Sequence, residues 1–273
     1  MINKFALLVI GFDGYESLWS LFFQLLYKNW PDCPLKIYLV TNKLEPIFQN
    51  VEVITTHKNA EWSEKVRIAL NTINEEYVIM LLEDFFICEK VNTQQVCDVL
   101  NFVVENKIQY LKMPYSGHCY KNKEKYVNYD NYYVIKKNER YGISLLPGLW
   151  EKKFLLDLIG VENYNPWKFE VDRLKEASKS SPENFDGCLV ETRNVLKIYN
   201  GVIQGQFVPS TLKKIKKSGI IIKSDVIKPM KLNKLLALKI KVIFLKILPE
   251  QWHLKVKKTA RKIGFKFVSD KWG

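Results

Sequence analysis

Histidine is scarce in this chain of 273 residues, and cysteine follows no metal-ligand spacing. The three histidines, His57, His118 and His253, form no HExxH-type pattern, so a histidine-based metal site is not expected. The five cysteines, at 33, 88, 97, 119 and 188, are odd in number and include no CxxC pair. That pattern argues against a zinc site or a disulfide frame and points to reduced thiols in a cytosolic protein. The apolar run Phe5 to Ile10 is too short for a signal-peptide core and ends in Gly-Phe-Asp with no small-residue cleavage site. Further on, the lysines of the C-terminal segment recur every few residues and leave no uncharged stretch of transmembrane length. What the chain has in quantity is apolar surface, with 47% hydrophobic and 13% aromatic residues. This excludes a disordered chain and suffices for one large α/β domain with an appendage, or for two small domains.

The formal charge of +13 is uneven. Residues 1–210 hold 24 Lys and Arg against 26 Asp and Glu, while residues 211–273 hold 18 against 3. The basic excess therefore belongs to the last 63 residues, and we place a functional boundary near Pro209–Ser210.

The first two hundred residues alternate between strand and helix patterns. Phe5–Ile10 is a strand-length apolar run closed by Gly11, Asp13 and Gly14. Tyr15, Trp19, Phe22, Phe23 and Leu26 have helical spacing. Strands are expected at Leu35–Val40 and Val51–Thr55, then a helix with Trp62, Val66, Ala69, Leu70 and Ile73 on its inner face. Strand Tyr77–Leu82 follows, then a helix capped by Asn92 with Gln95, and a strand at Ile108–Met113. Ser116 to Asn138 is polar and tyrosine-rich and reads as a loop and β-ribbon of the kind that forms lids or binding loops. "EKKFLLDLI" is a short helix, and Asn165-Pro166 opens another with Glu170 in or just past its first turn. Val195–Tyr199 and Val202–Val208 are expected as strands around a turn at Asn200-Gly201. Such alternation implies a largely parallel sheet with right-handed crossovers.

Glu83 and Asp84 stand directly after the apolar strand "YVIMLL" and before Phe85, Phe86 and Ile87. Carboxylates are rarely surrounded by apolar residues without a purpose, because desolvating a charge is costly. In a parallel α/β sheet, ligands bind at the carboxyl ends of the strands. Asp13 follows the first strand and Glu83-Asp84 the fourth, so all three acids fall on that edge.

The order "GFDGY", "WSEKVRIAL", "YVIMLLEDFF", "LPGLW" and "PWKFE" resembles nucleotide-sugar glycosyltransferases of the GT-A fold, in particular bacterial enzymes of capsule, O-antigen or lipooligosaccharide assembly. The resemblance covers roughly residues 3–210. It implies a Rossmann-like, mostly parallel mixed sheet flanked by helices. It also implies that the acids after the central strand meet the donor ribose and a divalent cation, Mn²⁺ or Mg²⁺, between the phosphates of a nucleotide-sugar such as a UDP-sugar. The usual motif there is Asp-x-Asp. In this chain Phe85 replaces its second acid. Either Asp84 alone orients a metal, or positive side chains replace it, with Lys65 and Arg67 as candidates against the alternative of a solvated helix face. By the same resemblance Asp13 holds base or ribose, unless it merely caps the next helix. Gly148, Leu149 and Trp150 form the loop beside donor sugar and acceptor, with Trp167 and Phe169 as an apolar wall. Glu170 becomes the catalytic base of an inverting transfer, kept ionised by the helix N-terminus; its alternative is a plain helix-start acid.

In the basic segment, Leu232, Leu236, Ile240, Ile243, Phe244 and Ile247 share one side of a helical wheel and lysines gather on the other, with further charge from Lys255 to Lys266. This is the pattern of a helix lying on an anionic membrane, with packing on the body or homodimerisation as alternatives. The expectation is a cytoplasmic transferase, peripheral on the inner face of the cytoplasmic membrane, acting on a glycan or lipid-linked glycan. A non-catalytic nucleotide- or glycan-binding protein on the same fold is the second reading. Nucleic-acid binding ranks below both, since the body carries no recognition motif.

Overall fold

The structure, a computed structural model, describes residues 2–113, 124–222 and 228–231. Eight strands make one sheet. β1 (Phe5–Ile10), β2 (Lys36–Thr41), β3 (Val51–Thr55) and β4 (Tyr77–Leu82) supply its first half. The short β5 (Phe85–Ile87) lies outside it, and β6 (Tyr110–Lys112), β7 (Tyr132–Lys136), β8 (Gly148–Glu151) and β9 (Asn184–Glu191) complete it. The order is β3-β2-β1-β4-β8-β6-β9-β7. Neighbours β1 to β4 pair in parallel, as do β6 and β9. β8 runs antiparallel to both β4 and β6, and β7 antiparallel to β9. β6 and β9 therefore point the same way as β1 and β4, and their carboxyl ends share one edge.

"FALLVI" and "YVIMLL" read as unbroken apolar runs because both faces of these strands are covered, while their side chains still alternate. Phe5, Leu7, Val9, Ile79 and Leu81 face α1 (Glu16–Asn29) and α3 (Thr93–Glu105). Ala6, Leu8, Val78 and Met80 face α2 (Trp62–Thr72), α4 (Lys152–Ile159) and α5 (Pro166–Ala177). The expected caps form: Asn92 accepts from the Gln95 amide at 3.1 Å, and Asn165 from the Lys168 amide at 3.1 Å. Each satisfies one of the donors a helix start leaves open.

Two expectations are corrected. Gly148 to Trp150 is not a loop but strand β8, in the middle of the sheet. Trp150 is 0% exposed, 4.0 Å from the Tyr110 ring, and a side chain at Gly148 would meet that same ring at 2.9 Å. Asn200-Gly201 is not a hairpin turn. β10 (Ile198–Asn200) pairs with β5, while β11 (Val202–Ile203) pairs with β12 (Gln206–Phe207), so the dipeptide joins two separate ribbons. The expected ribbon does form before residue 138, between Glu124 and Val134, and its second strand, β7, joins the main sheet. After β12, α6 (Pro209–Lys217) packs on the body through Thr211 and Ile215. His118 and the amphipathic and basic stretches from Leu232 onward lie outside the described residues.

Candidate functional site

The chain's winding order reverses at the parallel pair β1 and β4, the switch point at whose carboxyl ends such sheets form a ligand crevice. Gly11-Phe12-Asp13 and Glu83-Asp84 are the residues that follow these two strands. Asp13 neither caps its own helix nor points freely into the crevice. Its carboxylate accepts from the backbone amides of Asn42 at 2.8 Å, Lys43 at 2.9 Å and Leu44 at 3.3 Å, pinning the loop after β2. Beside that loop an open groove of about 400 Å³ is lined by Glu16, Trp19, Leu44, Pro46 and Phe48.

Lys65 is not on a solvated face: it is 5% exposed. Its ammonium donates to the Gly11 carbonyl at 2.7 Å and to Asn42 Oδ1 at 3.3 Å, and Asn42 in turn donates to the Ala60 carbonyl at 2.8 Å. Burial lowers the Lys65 pKa, while the charges of Glu83 and Asp13 raise it. Lys65 is thus an internal strut that supplies positive potential under the acids. Arg67 faces elsewhere, donating to the carbonyls of Gly160 at 3.2 Å and Glu162 at 3.4 Å.

The chain turns at Glu83-Asp84, and the charge of Asp84 acts on Glu83. Burial raises the Glu83 carboxyl to about 8, with the Asp84 charge second, against weaker help from backbone amides and Lys65. Burial likewise raises Asp84 to about 7. Asp84 Oδ1 is buried and has no partner among the described residues. An unmade hydrogen bond on a buried acceptor costs about 1–3 kcal/mol, and a ligand that fills it recovers that.

A divalent cation finds a partial fit. Asp84 offers an open oxygen, but Phe85 is buried in the α1-side core, and among the described residues no group of three His, Cys, Asp or Glu converges on one point. Hard cations of this kind take six or more oxygens, so most would have to come from substrate and water.

Glu170 lies one residue past the first turn of α5. The expectation that the helix N-terminus keeps it ionised is corrected: burial dominates and raises its pKa, opposed by the Leu145 amide and by Lys112. Glu170 Oε1 accepts from that amide at 2.7 Å, and Oε2 is buried without a partner among the described residues. Lys112, at the carboxyl end of β6, donates to the Tyr141 carbonyl. Burial first, and the Glu170 charge second, raise the pKa of Tyr141, whose backbone is left-handed at φ 56°. Trp167, three positions before Glu170 and therefore on the same side of α5, is 51% exposed. Phe169 is not a sugar wall; it is core, 5.1 Å from the Trp62 ring. The carboxyl edge thus brings together Asp13, Lys65, Glu83, Asp84 and, further along it, Lys112 and Glu170. It leaves Arg67, Trp150 and Phe169 out.

Sequence reasoning missed two residues of the crevice. Phe12 is 54% exposed between the strand end and Asp13, with the Lys65 ammonium 5.8 Å from its ring centre. The signal was present, since a phenylalanine in a strand-end turn "GFDG" has no core to fill. Asn42 had no sequence signal, because its partners Lys65, His57 and Ala60 come from other elements.

No family model matches the chain. No curated protein matches it either. Among solved structures it is similar to S. aureus TarS residues 1–349 in complex with UDP, at 14% identity over 81% of this chain and 67% of that one, with a TM-score of 0.45. A longer S. aureus TarS structure matches over 69% of this chain and 36% of that one, at a TM-score of 0.42. A cytidylyltransferase from Leptospira borgpetersenii matches at 13% identity over 82% and 98%, with a TM-score of 0.38. The chain spans 60% of another structure of S. aureus TarS residues 1–349, at 14% identity and a TM-score of 0.42. Likeness at this level carries no argument about activity.

Proposed function

We propose that the chain is a glycosyltransferase using a nucleotide-sugar donor. The observation that carries this reading is the buried, unpartnered Asp84 Oδ1 beside Glu83 at the crevice between β1 and β4. In this reading Asp84 and Glu83 receive the donor's ribose and diphosphate, with or without a cation, and Phe12 offers its exposed ring to the base. Lys65 supplies positive potential from below, and Asp13 holds the 42–44 loop around the nucleotide. Glu170 acts as base through Oε2. It takes the proton of the acceptor hydroxyl as that oxygen bonds to the anomeric carbon, while the anomeric C–O bond to the diphosphate breaks and the nucleoside diphosphate leaves with inversion. Trp167 borders the acceptor. The acceptor is a surface glycan, lipid-linked or free. Residues 1–210 form the catalytic unit with α6 and the stretch to Lys231 packed on it, and the basic segment beyond Lys231 docks it on the cytoplasmic face of an anionic membrane. Among the described residues no helix is long and apolar enough to cross a membrane.

The test is thermal unfolding with UDP, GDP and CMP, each with and without Mn²⁺. One nucleotide is expected to raise the midpoint, and Asp84→Ala to abolish the rise; no shift with any nucleotide overturns the donor site. A second reading, a nucleotide- or glycan-binding protein without transfer, is favoured by one observation: Phe85, in the second acid's place, is turned into the core. Binding of a nucleotide-sugar without any release of the nucleoside diphosphate supports that second reading.

A further inference from the structure

The far end of the same sheet edge carries a group of residues that the donor and base sites do not use. β7 begins at Tyr132, opposite Glu191, the last residue of β9. A hairpin leads into it. The Tyr126 amide donates to the Tyr132 carbonyl at 2.8 Å, the Val134 amide to the Glu124 carbonyl at 2.9 Å, and Asn128 turns the chain at φ 66°. Four aromatic rings stack beneath this turn. Phe102 of α3 lies 3.7 Å from Tyr132 with planes 3° apart, and Tyr129 meets Phe102 edge-on at 4.8 Å. Tyr126 and Tyr129 are themselves stacked at 5.9 Å. Phe102 and Tyr132 are core, whereas Tyr129 is 39% exposed, so the stack holds an aromatic surface open to water.

Arg193 sits over this stack, 5.5 Å from the Tyr132 ring. Glu191, which is 0% exposed, binds the Arg193 backbone amide at 3.0 Å and Nε at 2.6 Å through one oxygen. The Tyr132 hydroxyl accepts from Nη2 at 3.0 Å. Two of the three guanidinium nitrogens are thereby fixed, while Nη1 has no hydrogen-bond partner among the described residues and the side chain remains 32% exposed. A long cation normally loses rotamer entropy on binding an anion; here that loss has been met by folding. A guanidinium held in this way is suited to a carboxylate or phosphate oxygen. The exposed Tyr129 ring, 6.0 Å from the Tyr132 ring that Arg193 binds, suits the apolar C–H face of a pyranose, which has the same amphipathic character as the tyrosine.

We infer that the hairpin 124–134 and Arg193 form a subsite for an acceptor saccharide that carries an anionic substituent, with Tyr129 and Tyr126 against the sugar face and Arg193 on the charge. This deepens the glycosyltransferase reading and rests on it for the word acceptor. The saccharide contact itself rests on the hairpin alone.

The experiment is titration of the full chain by isothermal calorimetry with methyl β-D-glucuronide, glucose 6-phosphate and methyl β-D-glucoside. At least one anionic sugar is expected to bind about tenfold more tightly than the neutral one, the difference one hydrogen bond to a charged group supplies. A preference for the glucuronide assigns a carboxylate, and a preference for the phosphate ester assigns a phosphate. Arg193→Gln should erase the difference, and Tyr129→Ala, with folding checked by its thermal midpoint, should weaken all three sugars. Equal binding of the three, no binding, or binding indifferent to Tyr129→Ala overturns the inference. The nucleotide-dependent thermal shift is read on the same samples. A shift that persists without saccharide binding sinks the subsite alone, and saccharide binding without any nucleotide shift sinks the transferase reading alone.

Discussion

The Gly201 amide donates to the Asp84 carbonyl at 2.7 Å, and a side chain at position 201 would overlap the Phe86 ring and stand 2.9 Å from that carbonyl. The turn that presents Asp84 is thus held from behind by a residue with no side chain. Gly201→Ala should destabilise the protein by about 1–3 kcal/mol, the cost of forcing an extra carbon into a packed core. Nucleotide affinity should fall as well, because the turn must move. Urea denaturation and a nucleotide titration check both, and an unchanged midpoint would mean that the ring relaxes freely.

Stability should depend on pH through the acid pair. In the folded chain burial raises Glu83 to about 8 and Asp84 to about 7, against ordinary values of 4.5 and 3.8. Between those limits the folded state keeps protons that the unfolded state has released. Stability present below pH about 4.5 is therefore lost as pH rises toward 8, by up to about 1.4 kcal/mol per pH unit for each proton held. Urea midpoints measured from pH 5 to 9 should decline, and Glu83→Gln should flatten the decline. A wild-type profile that rises over this range contradicts the burial of the pair.

Glu170→Gln keeps the bond to the Leu145 amide and removes the base. Sugar transfer should drop about 10²–10⁴-fold with nucleotide binding intact. Since burial raises the Glu170 pKa, wild-type activity should climb with pH through that raised value, and the variant should lose this limb. Transfer at wild-type rates in the variant removes Glu170 from the mechanism.

The membrane proposal is best tested by ending the chain after Lys231, because α6 and Met230 belong to the body. Ile215 is buried, Lys214 pairs with Glu89, and the Met230 amide donates to the Phe207 carbonyl at 2.9 Å. The truncated protein should keep its nucleotide response and no longer sediment with anionic vesicles. Sedimentation that persists moves the membrane contact into the body.

Much of the architecture was legible in the chain. The strand limits Phe5–Ile10, Val51–Thr55 and Tyr77–Leu82 match the structure residue for residue: the first and last because strands covered on both faces are unbroken apolar runs, and the edge strand Val51–Thr55 because its residues are β-branched at four of five positions. Asn92 and Asn165 act as caps because a cap is a contact over three residues and needs nothing distant. The edge carrying Asp13, Glu83 and Asp84 followed from strand order alone.

Other features came only with the tertiary structure. Trp150 and Phe169 read as pocket walls because an aromatic residue beside a glycine or an acid looks the same whether it faces a ligand or the core. The insertion of β8 between β4 and β6 is a pairing across some seventy residues of chain with no local signature. Lys65 and Asp13 took their roles from partners about twenty to fifty positions away. The sequence by itself determined where the acids stand, since hydrophobic periodicity and caps are local. Only the folded chain decided which charges were already satisfied and which, like Asp84 Oδ1, were left open, because burial and hydrogen bonding depend on what distant segments bring to the same place.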